Sequence, residues 1–243
     1  MKHKYAESIK DMKQEDIAKT VILIGGCGAI GSNLAVSAAH AGFRVIKVVD
    51  MDVLEEHNLE NQMYTTEDIG LPKVEAIAKL IKKIDPTIQV ISIQKPFQDA
   101  TDEELKADVY LSGFDNFGTR FSMNGQYVLR NKPMIDAGID AFSITIRIII
   151  PGETPCLECW PDMIPKTDLL ASCSKKKIPS LFNTAQVAAG LQIAEVFKVI
   201  HGWPITPYYS VDLRTGKFNR MELERNSECP LCSIDWKMEA IEW

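Results

Sequence analysis

The sequence predicts an α/β fold: a doubly wound, Rossmann-like mixed sheet, mostly parallel, with an antiparallel C-terminal extension. Three observations carry this expectation. Residues 20–25 (TVILIG) form a continuous apolar run that leads into a glycine turn, Gly26-Cys27-Gly28-Ala29-Ile30-Gly31, and then a helical pattern. Strand-like and helix-like stretches alternate after that turn. Near the end, Thr215-Gly216 lies between two short strand-like segments, the signal of a hairpin.

The elements follow in order. Residues 1–19 are a polar leader with a short helical stretch. Residues 29–41 have helical patterning, and 43–50 (FRVIKVVD) are β-branched and end in an acid, which completes a βαβ unit. Apolar residues recur at helical spacing over 72–84 (PKVEAIAKLIKKI), with proline in the first turn, and a short strand follows at 89–93. A strand at 108–113, a helix over 117–130 and a strand at 134–136 continue the parallel sheet. Residues 143–150 (SITIRIII) read as a longer strand, and 208–213 with 218–223 as the hairpin. Between them lie a polar, irregular segment at 161–180 and an apolar helix over 184–200 that Gly202 closes.

Composition bounds the function. With 243 residues, 46% hydrophobic and 25% charged, the chain can bury the core of one large domain. The leader has no apolar signal-peptide run, and no later stretch approaches the ~18 apolar residues of a membrane span, so a soluble, cytoplasmic protein is expected. A formal charge of −6 argues against nucleic acid as a partner, with Lys175, Lys176 and Lys177 as the one local basic run. Without a secretion signal, the six cysteines are read as metal-binding or catalytic rather than disulfide-forming.

A strand, a glycine turn and a helix N-terminus together let phosphate approach the backbone. Asp50 ends the next strand, where a carboxylate accepts hydrogen bonds from ribose hydroxyls. To this point an NAD-dependent oxidoreductase fits equally well, while a glycine turn that serves only tight helix–strand packing is the lesser alternative in a full βαβ context. Pro155-Cys156-Leu157-Glu158-Cys159 and Cys229-Pro230-Leu231-Cys232 are two Cys-x-x-Cys knuckles, the pattern of a four-thiolate structural zinc site. Cys173 stands apart in 170–180 (LASCSKKKIPS), where lysines favour a thiolate. Cys27 reads as a small packed residue, His57 as an exposed loop histidine and Trp203, Trp236 and Trp243 as packing or tail anchors.

Residues 50–62 (DMDVLEEHNLENQ), 70–75 (GLPKVE) and 115–120 (DNFGTR) resemble the D-x-D…N-L-x-R-Q, G-x-x-K and D-N-x-x-x-R motifs of the ThiF/MoeB/HesA family, the adenylating core shared with ubiquitin-activating enzymes. The resemblance runs from about Thr20 to Cys232. It implies ATP-dependent adenylation of the C-terminal glycine carboxylate of a small ubiquitin-like modifier or sulfur-carrier protein ending in Gly-Gly, by a homodimer using ATP, Mg2+ and Zn2+. By that likeness Gly26, Gly28, Ala29, Ile30, Gly31, Asp50, Asp52, Asn58, Asn61, Gln62, Lys73 and Asp115 surround the nucleotide. Asp50 would hold the ribose, Asn58, Gln62 and Lys73 would contact the triphosphate, and Asp115 would coordinate magnesium.

The chemistry agrees with these roles, because attack on an α-phosphate builds negative charge that a lysine and a carboxylate-held cation offset. Taken singly, Lys73 reads equally as a solvated first-turn residue and Asp115 as a helix cap. Arg120 reads as an anchor of the motif helix. The likeness further divides 1–243, read as one adenylating domain, into the leader 1–19, a nucleotide-binding core 20–150, a zinc knuckle and crossover loop 151–182, and a C-terminal helix, hairpin and second knuckle 183–243. It makes Cys173, in the crossover stretch, the thiol for thioester or persulfide chemistry. Two departures stand out: Asn61 replaces the family arginine, and the R-Y-x-R-Q stretch of bacterial relatives has no match in 1–19. They motivate one alternative, a non-catalytic nucleotide-binding scaffold.

Overall fold

The computed structural model describes residues 8–160 and 179–233. Cys173, Lys175, Lys176, Lys177, Trp236 and Trp243 lie outside the described residues. The strands are β1 (Val21–Gly25), β2 (Val45–Val49), β3 (Gln89–Ile93), β4 (Val109–Ser112), β5 (Met134–Asp140), β6 (Ser143–Ile149), β7 (Tyr208–Asp212) and β8 (Lys217–Met221). The helices are α1 (Gln14–Lys19), α2 (Ala29–Ala41), α3 (Lys73–Ile84), α4 (Asp102–Leu105), α5 (Phe117–Leu129) and α6 (Phe182–His201). All eight strands form one sheet in the order β3-β2-β1-β4-β5-β6-β7-β8. The pairs from β3 to β5 are parallel and those from β5 to β8 antiparallel.

The apolar run in β1 is explained by burial on both faces. Ile22 and Ile24 pack with Leu34, Ile77 and Ala189 on the side of α2, α3 and α6, while Leu23 joins Tyr110, Met123 and Tyr127 on the side of α5. Gly202 at φ 65° stops α6 as expected and Gly42 at φ 101° does the same for α2, each releasing the chain in the left-handed conformation. Gly216, at φ 70°, makes the hairpin turn.

Most strand bounds shift by one or two residues from the sequence reading, and for β5 and β8 the pairing shows why. β5 runs to Asp140 instead of 136, because β6 pairs back along it from Met134↔Ile149 to Asp140↔Ser143 around Ala141 at φ 50°. A ladder supplied by another strand extends an element that its own residues mark only at the start. β8 ends at Met221, whose partner Tyr208 is the first residue of β7, so nothing pairs with residues 222 and 223. Among the described residues no helix is long and apolar enough to cross a membrane.

Candidate functional site

The sheet order reverses between β1 and β4, and the crevice beyond their carboxyl ends is where open α/β sheets bind ligands. The glycine turn sits there. A Cβ on Gly31 would lie 1.7 Å from the Gly26 carbonyl oxygen, so only glycine lets the turn fold onto α2. Gly28, the N-cap, supplies no side-chain cap, and a Cβ there would meet nothing within 4 Å. The first amides of α2 are therefore open to an anion.

Asp50, half-buried at the end of β2, accepts hydrogen bonds from Cys27 N at 2.6 Å and Asp52 N at 2.8 Å. Burial raises its carboxyl above the ordinary value, against the pull of those two amides and Lys73. The 52–54 and 70–73 stretches run side by side through Leu54 N to Leu71 O and Lys73 N to Asp52 O, each 2.9 Å. That pairing sets Lys73 Nζ 2.7 Å from Asp52 Oδ2. Lys73 is only 7% exposed, not a solvated first-turn residue. Burial alone would lower its pKa, but the hydrogen bond and charge of Asp52 and the charge of Asp50 outweigh it and hold the ammonium above the usual lysine value.

Asn58 is buried, and its Oδ1 accepts from Glu55 N at 2.9 Å, closing the turn that presents Asn61 and Gln62. Gln62 Oε1 is buried without a hydrogen-bond partner among the described residues. Asn61 donates to Ser180 O at 3.4 Å and so ties the site to the segment entering α6. His57 is exposed beside Glu55, as read from the sequence. Asp115 is exposed in the loop after β4. The cap of α5 is its neighbour: Asn116 Oδ1 accepts from Thr119 N at 2.8 Å, which leaves the Asp115 carboxylate free of that task. A hard oxygen donor beside nucleotide phosphates suits Mg2+.

Three features were not anticipated. Tyr64 is buried and donates to Cys27 O at 2.7 Å, bracing the glycine turn from below, and Ser32 Oγ accepts from Met63 N at 3.2 Å. Asp136 on β5 pairs with Arg120 on α5 and Arg147 on β6. No motif marks Tyr64, Ser32, Asp136 or Arg147; the β5–β6 register sets Asp136 opposite Arg147, and the packing of α5 brings the motif residue Arg120 to them. Cys27 is fully buried, and burial first, then the Asp50 charge, pushes its thiol well up, so it is an inert packed residue.

Away from this crevice, Cys156, Cys159, Cys229 and Cys232 are all buried, with sulfurs within 4.8 Å of one another and Cys156 Sγ 3.7 Å from Cys229 Sγ. Four sulfurs bound at ~2.3 Å around one ion would stand about 3.8 Å apart, so the set could hold a metal. Asn124 Oδ1 accepts from Leu157 N at 3.2 Å, and Asn226 donates to Cys159 O at 3.3 Å, orienting both knuckles.

A glycine-turned crevice at the reversal point, with paired charges at its lip and a thiol clamp outside it, defines a nucleotide-using α/β enzyme. The ThiF family model matches residues 2–231, and the chain belongs to that family. The sulfur carrier protein ThiS adenylyltransferase of Escherichia coli is 30% identical over 230 residues, 90% of this chain and 88% of that protein. The sulfur carrier protein adenylyltransferase of Thermus thermophilus is 27% identical over 230 residues, 90% of this chain and 84% of that protein. The crystal structure of E. coli MccB with ATP superposes with a TM-score of 0.79 at 26% identity, covering 91% of this chain and 69% of that one. The chain is thus an ATP-dependent adenylyltransferase.

Proposed function

We propose that this enzyme activates the C-terminal glycine carboxylate of a small ubiquitin-like or sulfur-carrier protein ending in Gly-Gly. The observation that carries the reading is the convergence of the open α2 amides, Asp50, the Asp52–Lys73 pair and Asp115 at the carboxyl ends of β1, β2 and β4, in a chain whose relatives are named for sulfur carriers. Asp50 holds the ribose, and the α2 amides with Asn58, Gln62 and Lys73 receive the triphosphate. The carrier's carboxylate oxygen attacks the α-phosphorus, the bond to the β-phosphate oxygen breaks, and pyrophosphate leaves. Lys73, held charged by Asp52, offsets the negative charge that builds on the phosphoryl oxygens. Asp115 would hold Mg2+, which when bound neutralises charge on the phosphates. Because the nucleophile belongs to the substrate, the protein contributes positioning and electrostatics rather than a general base.

The proposal extends to three further points. The Cys173 thiolate attacks the acyl-adenylate carbonyl and forms a thioester as AMP leaves, or, loaded as a persulfide by a separate sulfane-sulfur donor, attacks the same carbonyl with its outer sulfur as AMP leaves; Zn2+ in the four thiolates clamps the 229–232 knuckle to the 156–159 knuckle; and the enzyme works as a homodimer. Another solved neighbour is MccB in complex with N-formylated MccA, which favours a second reading, a short peptide as the carboxylate substrate.

ATP–pyrophosphate exchange tests both readings, with a panel of small β-grasp proteins ending in Gly-Gly on one side and formylated peptides on the other, and Asp115→Ala as control. Exchange with a carrier, lost in Asp115→Ala, supports the first reading; exchange with peptides alone replaces it by the second. Bound ATP without exchange in either arm returns the protein to the scaffold class. A reducible enzyme–carrier adduct that survives Cys173→Ser would remove Cys173 from the scheme, and light scattering reads the dimer.

A further inference from the structure

Behind the Asp115 loop lies a buried ion cluster. Asp136 is 0% exposed, and its Oδ2 stands 3.0 Å from Arg147 Nη1 and 3.5 Å from Arg120 Nη1. The β4–β5 register pairs Asp136 with Ser112, the last residue of β4, so its carboxylate sits at the level where the chain leaves the sheet for Asp115. The β5–β6 register sets it opposite Arg147. Arg120, in the first turn of α5, turns the rest of its fork onto one atom. Its Nε at 2.9 Å and Nη2 at 2.6 Å both donate to the carbonyl of Phe114, the residue that precedes Asp115. Gly138 leaves room for this arrangement, since a Cβ there would lie 3.3 Å from Arg120 Nη1.

Stability alone does not account for the cluster. Burying ions costs several kcal/mol each in lost hydration, and an apolar replacement of similar volume is often neutral or better. The cost is offset only where the remaining lone pairs are satisfied, yet Asp136 Oδ1 is buried with no hydrogen-bond partner among the described residues. What the cluster does achieve is geometric. Asp136 fixes the plane of the Arg120 guanidinium, the guanidinium pins the Phe114 carbonyl with two donors, and the pinned peptide sets the direction in which Asp115 is presented.

We propose that Asp136 is a positioning residue for adenylation, acting through Arg120 to hold the Asp115 carboxylate where a divalent cation on the nucleotide phosphates can reach it. The proposal rests on the reading of Asp115 as that cation's ligand. Arg147 serves as the second counter-charge, which aligns Asp136 between two cations.

The first arm of the test uses the full chain and needs no carrier: the Mn2+ concentration that half-saturates ATP binding, read by electron paramagnetic resonance, in Asp136→Asn, Arg120→Lys, Arg147→Lys and Asp115→Ala. The second arm adds the carboxylate substrate found by the exchange assay and takes the kinetic constants for ATP from pyrophosphate exchange. Asp136→Asn and Arg120→Lys are expected to raise the half-saturating Mn2+ concentration about 10-fold and to lower kcat while KM for ATP holds. Arg147→Lys keeps a cation beside Asp136 and leaves the Arg120 fork alone, so it should raise the half-saturating concentration less than Arg120→Lys does. A merely structural cluster would instead lower the melting temperature and leave the Mn2+ dependence unmoved. If Asp136→Asn fails to fold, Arg120→Lys carries the test, since it retains both charges and loses only the two-donor grip. Unchanged Mn2+ dependence in the folded variants, while Asp115→Ala loses cation binding, overturns the positioning role. Unchanged dependence in Asp115→Ala itself overturns the reading of Asp115, and this proposal with it.

Discussion

In the parallel half of the sheet, β1, β2 and β4 are buried nearly end to end, sandwiched between α2, α3 and α6 on one face and α5 on the other. In the antiparallel half, β7 is mostly half-buried and β8 is exposed at every residue. The two cysteine knuckles follow β6 and β8, so the thiols join the two ends of the β6–β8 unit. One half is therefore held by apolar burial on two faces and ends in a glycine turn that leaves no space for a side chain at Gly31. The other depends on cross-strand pairs and on the chemistry of four sulfurs. Changes in the first half should act through sterics and charge at the crevice, and changes in the second through the clamp.

The largest expected break comes from stripping any metal from the thiols with a strong chelator. Structural zinc–thiolate binding is on the order of 10 kcal/mol, so amide hydrogen exchange should accelerate across 208–221 while 21–25 and 45–49 stay protected. Uniform acceleration would show that the halves are not separately held. Next in size, Gly31→Ala drives a methyl into the Gly26 carbonyl and should cost about 3 kcal/mol in urea denaturation. The matched change in the other half, Gly216→Ala, has open space and meets only the positive φ of its turn, so about 1 kcal/mol is expected. Equal losses at the two glycines would contradict the steric distinction.

Lys73→Met keeps the volume and removes the charge that Asp52 supports. Adenylation should fall about 100-fold while the urea midpoint stays close to wild type. A large stability loss with little change in rate would make the lysine a structural residue.

The smallest effects are two opposed slopes at acid pH. Burial raises the Asp50 carboxyl above 3.8, so the folded protein binds that proton more tightly than the unfolded chain does. Its contribution is greatest below 3.8 and is lost as pH rises toward the folded value. Glu104 runs the other way: the Thr101 amide, and then Lys95, hold it down at about 2 against an ordinary 4.5. Its contribution is present above 4.5 and fades as pH falls toward 2. Asp50→Asn should remove the first slope from the pH dependence of the urea midpoint and Glu104→Gln the second. Variants that track the wild type at every pH would show that neither carboxyl is perturbed in the fold.

Much of the crevice could be read in advance because its parts are local. The run of apolar residues before Gly26, the acid at position 50 and the lysine after Pro72 each belong to a short stretch whose pattern repeats the physics of a buried strand, a strand end or a helix start. What escaped were the pairings between stretches. Asn116 and Asp115 are adjacent and both suit a cap, so only the bond to Thr119 N shows which of them takes it. Tyr64 looks like any core aromatic until its hydroxyl is found under Cys27. Asp136 ends an apolar strand segment in the sequence and carries no motif, yet it is the centre of a buried cluster.

The sequence by itself determined the order of the strands and the longer helices, the family motifs and the two cysteine knuckles, because periodicity, turn chemistry and ligand spacing act within a few residues of one another, whereas the four-residue α4 is too short to show a period. Tertiary structure alone decided where β5 and β8 end, which side chain caps α5, and that Asp136 lies between Arg120 and Arg147. Those outcomes depend on strand register and on burial. Residues far apart in the chain set both, and a buried charge can persist only where such residues bring its partners to it.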